Sequence, residues 1–88
     1  MTYEIELTRS AKKALANEIP ARYATAILNF ILGSLRENPH RVGKKLVGAF
    51  DGYYSARRGD YRVIYQVLED RVLVMVESVA HRADAYRR

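Results

Sequence analysis

At 88 residues the chain has room for one domain, and with 49% hydrophobic residues it has material for a core. It has no cysteine, which excludes a disulfide scaffold and thiol catalysis, and its histidines, His40 and His81, lack the close Cys, Asp or Glu cluster of a structural metal site. The net charge of +5 is uneven: residues 41–88 hold the basic excess, which favours a polyanionic partner such as nucleic acid or an acidic protein.

The N-terminal stretch MTYEIELTRS carries acidic residues and no apolar run of signal-peptide type. The aliphatic run Val72 to Val76 is far too short for a membrane span. A cytoplasmic protein with no membrane association is the expectation. Tyr3 to Leu7 alternates apolar and acidic residues, which predicts a short half-buried strand. Thr8 or Ser10 can cap the following helix, whose apolar stripe is Ala11, Ala14, Leu15 and Ile19. Pro20 suits the first position of a second helix, where its missing N–H costs nothing. In that helix Tyr23, Ile27, Ile31 and Leu35 recur every fourth residue, and Asn38-Pro39 ends it. The tight join predicts an antiparallel helical hairpin.

Residues 38–52 read as a long basic connection bearing Lys44 and Lys45, with Leu46, Val47 and Phe50 expected to pin it to the core. Strands are predicted over Tyr53–Arg57, Tyr61–Leu68 and Val72–Ala80, with Gly59 supplying the tight turn of the first hairpin. The final HRADAYRR is polar and reads as a short helix or a tail. The expected fold class is α+β in the order β-α-α-β-β-β. Its mainly antiparallel four-stranded sheet carries the helical hairpin on one face, and residues 1–88 form a single domain.

Strand parity predicts where side chains point. Tyr61, Val63, Tyr65 and Val67 share one face, a core set for the helices to cover. Arg62, Ile64, Gln66 and Leu68 share the other. Strict alternation on the last strand adds Glu77 and His81 to this half-polar, basic face, a candidate binding surface. Arg57 and Arg62 flank the hairpin turn, and strand pairing could place them side by side. Two adjacent guanidiniums are costly unless an anion bridges them, and Arg suits bidentate phosphate contact. His81, Arg82 and Tyr86 follow the last strand as a second cluster. A histidine is suited to proton transfer near neutrality, and a tyrosine needs nearby cations before it can act as a base. The tripeptide Arg58-Gly59-Asp60 is turn chemistry.

The string GDYRVIYQV, preceded by the KKLVGAF connection and followed by an aliphatic strand ending VAHRADAYR, resembles the RelE/ParE toxin superfamily over essentially the whole chain. That resemblance implies a toxin of a type II toxin–antitoxin pair. In its RelE-like branch the toxin cleaves mRNA in the ribosomal A site. The 2′-hydroxyl attacks the adjacent phosphate without a metal or other cofactor. The resemblance assigns catalytic roles to Arg57, Arg62, Arg82 and Tyr86, with His81 sharing the proton chemistry. Among the basic residues of the C-terminal half, Lys44, Lys45, Arg58, Arg87 and Arg88 are expected to contact RNA or the ribosome. A family basic residue is missing at Ser55. The implied partners are a cognate antitoxin, the ribosome and mRNA, with operator DNA reached only through the antitoxin complex. Two alternatives stand beside this reading. One is the gyrase-poisoning ParE branch, which generally lacks the ribonuclease residues. The other is a non-catalytic module that only binds its antitoxin and DNA.

Overall fold

A computed structural model of the chain describes residues 2–84. Strand β1 (Glu4–Leu7) leads into helix α1 (Arg9–Lys13). The Thr8 hydroxyl caps α1, accepting from the Ala11 amide at 3.1 Å and donating to the Glu77 carbonyl at 2.6 Å. A π turn, Ala14–Glu18, extends the helix to the bend at Ile19. Helix α2 (Ala21–Phe30) begins just after Pro20 and runs on through a second π turn, Ile31–Leu35. Its every-fourth-residue stripe is buried at Ile27, Ile31 and Leu35, whereas Tyr23 at the near end is 42% exposed. A short helix α3 (Pro39–Val42) follows.

The sheet has five strands rather than the expected four, β1, β2 (Lys44–Lys45), β3 (Tyr54–Arg58), β4 (Tyr61–Leu68) and β5 (Leu73–His81), in the order β1-β5-β4-β3-β2. The addition is β2, inside the basic connection, paired antiparallel with β3. Two residues are too few to show a period-two pattern, so sequence parity could not reveal it. Gly43 lets the chain enter β2, because a Cβ there would overlap the Tyr65 hydroxyl. The same hydroxyl donates to the Pro39 carbonyl, tying α3 to the core. Val47 does not pin the connection: it is 83% exposed, and only Leu46 and Phe50 are half-buried.

Strand β4 (Tyr61–Leu68) pairs antiparallel with both β3 and β5 (Leu73–His81), while β1 runs parallel to β5. Val63 and Tyr65 are buried under the helices with Ile27, Ile31, Leu35, Val74 and Val76, so the predicted core face is the observed one. The β3–β4 turn places Gly59 at φ +62°, the left-handed position that a type II′ hairpin reserves for glycine. Val72 does not open β5. It closes the Glu69–Arg71 turn at φ +49°, and the strand starts at Leu73.

One irregularity decides the site. Ile64 pairs with Ser78, but its neighbour Tyr65 pairs with Val76, leaving Glu77 as an extra residue in β5. This β-bulge reverses the alternation beyond it. Val79 therefore joins the core with Val74 and Val76, and the Thr8 hydroxyl occupies the displaced Glu77 carbonyl.

Candidate phosphate site at the β3–β4 hairpin

Arg57 and Arg62 are direct cross-strand partners. The pair next to them, Ala56 and Val63, belongs to the core under the helices. Alternation therefore sends both arginines to the helix-free face. Directly opposed residues have Cβ atoms about 5 Å apart, so two like charges here repel. Neither guanidinium has a carboxylate within ion-pair distance among the described residues. Arg57 is anchored instead by its Nε, which donates to the Gly59 carbonyl at 3.1 Å. Its terminal nitrogens remain to be used. The arrangement suits an anionic oxygen cluster such as a phosphate, which two guanidiniums can hold bidentately.

The other predicted residues divide between the two faces. Lys44 stands in register beside Ser55, on the face of Arg57 and Arg62. An ammonium is thus supplied next to the position where the basic residue is missing. Ser55 itself is buried, as is its partner Ile64. Lys45 pairs with Tyr54 and Arg58 pairs with Tyr61, both on the helix side. Arg82 extends the ladder beyond β5 through its amide, which donates to the Asp60 carbonyl at 2.8 Å, and its Nε lies 4.0 Å from an Asp60 carboxylate oxygen. Tyr86, Arg87 and Arg88 lie outside the described residues.

His81 is the correction. Strict alternation places it with Arg62, but the bulge at Glu77 turns it to the helix side, in register with Tyr61. Its ring meets the Tyr61 ring edge-on at 5.6 Å.

The matching family model describes the ParE toxin of the type II toxin–antitoxin system parDE and covers residues 5–86. The chain is 40% identical over 88 residues to Toxin RelG of Mycobacterium tuberculosis, with all of both chains covered. The chain belongs to the RelE/ParE toxin family. Its fold also superposes on the toxin–antitoxin complex RelBE2 of M. tuberculosis, with a TM-score of 0.88, 35% identity, and 93% of this chain and 100% of that one covered. The archaeal RelE–RelB complex of Pyrococcus horikoshii gives a TM-score of 0.72 at 28% identity, covering 97% and 100% of the two chains.

This RelE/ParE-family chain carries a second polar cluster, at the opposite end of β4, that no sequence spacing announces. The Tyr3 hydroxyl donates to a Glu69 carboxylate oxygen at 2.8 Å, and His40 Nε2 lies 3.1 Å from the same oxygen. A carboxylate only accepts, so Nε2 carries the proton. In the neutral ring Nδ1 then accepts from the Tyr54 hydroxyl at 2.8 Å. Tyr54 stacks on Tyr65, with ring centroids 5.5 Å apart. The hydrogen bond from His40, then that from Tyr3, holds the Glu69 carboxyl below its ordinary range. The same bond to Glu69 raises the Tyr3 phenol. The four residues come from the residue before β1, from α3, from β3 and from the β4–β5 turn, so only the folded chain assembles them. No helix of the described residues is long and apolar enough to cross a membrane, and no group of three potential metal ligands occurs among them.

Proposed function

We propose that the chain is the toxin of a type II pair and acts as a ribosome-dependent endoribonuclease, cutting mRNA in the A site. The observation that carries this reading is the register of Arg57 against Arg62 on the helix-free face, with no carboxylate between them. The 2′-hydroxyl attacks the adjacent phosphorus as its proton leaves. The P–O5′ bond breaks, giving a 2′,3′-cyclic phosphate and a 5′-hydroxyl. Arg57 and Arg62 hold the phosphate and stabilise the charge that develops on its oxygens. Lys44 and Arg82 add positive potential at the rim. Tyr86, assigned by family resemblance, takes the 2′-proton as general base. A water polarised by the cations protonates the leaving oxygen, since His81 faces the helix side of the sheet.

The neutralising partner is a cognate antitoxin, a reading supported by the RelBE2 and archaeal RelE–RelB complexes among the related structures. An acidic antitoxin segment over the basic face would mask the arginine pair. Operator DNA is reached through that complex, and the toxin works in the cytoplasm. Translation extracts programmed with a defined mRNA test the reading. Wild-type protein produces cuts at the A site, and Arg62→Ala and Tyr86→Phe do not. Intact mRNA with wild-type protein sinks the proposal. Ser55, where the basic residue is missing, and the ParE match favour a second reading, a gyrase poison. A supercoiling assay with purified gyrase distinguishes the two.

A further inference from the structure

The helix side of the same hairpin carries a cleft of about 500 Å³ that the phosphate site does not use, lined by Tyr23, Ile27, Arg58, Asp60, Tyr61 and His81. That volume lies in the range of small-ligand sites. Tyr23 and Tyr61 have ring centroids 5.8 Å apart, and His81 meets Tyr61 edge-on. Arg22, outside the lining itself, stacks over the Tyr23 ring, 4.8 Å from its centre, and donates to the Tyr23 hydroxyl at 3.1 Å. Arg58 has no ion-pair partner among the described residues. Three aromatic rings with unpaired cations beside them form the surface on which unstacked nucleobases are held.

We propose that this cleft binds a nucleotide of single-stranded RNA flanking the one cut at Arg57 and Arg62. This rests on the reading of the chain as a ribonuclease. Arg57 and Arg58 are neighbours on β3, so alternation puts them on opposite faces of one hairpin. An RNA strand bending round the Gly59-Asp60 tip can therefore leave its scissile phosphate on the first and the next base on the second. The base stacks against Tyr23 and Tyr61, and its phosphate meets Arg58 and Arg22. The Asp60 carboxylate, already 4.0 Å from Arg82 Nε, accepts from an exocyclic amino group. The cleft accordingly prefers adenine, guanine or cytosine to uracil.

The test is a solution titration of the full chain with adenosine and uridine 5′-monophosphates and with an uncleavable 2′-O-methyl RNA trinucleotide. Resonances of Tyr23, Tyr61 and His81 are followed, and an acidic peptide is titrated in parallel. The expected result is movement of all three residues with the nucleotides, weaker for uridine. Tyr23→Ala and Arg58→Gln, both at exposed positions, each weaken trinucleotide binding by about fivefold or more. Three results overturn the proposal: shifts confined to Arg57 and Arg62, shifts with the peptide alone, or unchanged affinity in both folded variants. The catalytic reading is judged separately. Cleft shifts without ribosomal cutting keep the cleft and remove the catalysis, and cutting without cleft shifts does the reverse.

Discussion

The two ends of β4 use the same side chains to opposite ends. At Glu69, a tyrosine, a histidine, a carboxylate and a second tyrosine close into one chain of hydrogen bonds. At the Gly59 turn, tyrosines, a histidine and arginines gather with one long ion pair among the described residues, Arg82 to Asp60 at 4.0 Å. The first end is internally satisfied and joins β1, α3 and β3 into one body. The second leaves Arg57, Arg58 and Arg62 without a carboxylate partner among the described residues. Polar residue type alone does not distinguish structure from function here, whereas the state of its hydrogen-bond partners does.

The comparison can be broken from either end. Arg62→Ala has the largest expected effect, a loss of about 100-fold or more in ribosomal mRNA cutting with an unchanged thermal midpoint. A matching loss of stability would place Arg62 among the structural residues instead. Tyr65→Phe acts in the opposite sense. It leaves the Pro39 carbonyl without its donor and lowers unfolding free energy by about 1–3 kcal/mol in urea titrations, with the arginine pair still in register. Lys44→Ala sharpens the view of Ser55, reducing cutting by about tenfold if the lysine supplies the missing charge, an effect that shrinks at high salt. Glu69→Gln has the smallest effect, and pH reveals it. The folded carboxyl is depressed, so its stabilisation is complete above the ordinary glutamate value and disappears as pH falls through the lower folded value. Urea midpoints of wild type and variant therefore differ at pH 7 and converge in acid below about pH 4.

Much of this was readable in the sequence because it depends on local periodicity. The stripe Ile27, Ile31, Leu35 and the set Val63, Tyr65 point to the core as their spacing demands. Arg57 and Arg62 meet because a two-residue turn fixes hairpin register. The missed features have no local period. Lys44 and Lys45 form too short a strand, and Tyr3, His40, Tyr54 and Glu69 meet only through tertiary packing. His81 was misplaced because a bulge is set by how two strands settle against each other and against Thr8, and alternation assumes that none exists.

Glu77 thereby gives the last strand a phase. Residues before it and after it are counted on different parities, yet the extra residue is absorbed locally and the pairing with β4 resumes in step. Deleting Glu77 would remove the bulge and leave His81 opposite Tyr61, because Ser78 would follow Val76 in the register that it already holds. A relative lacking that insertion would present the same side chains on each face from a string one letter shorter. Gap placement at this one position therefore governs how catalytic residues should be transferred between such sequences.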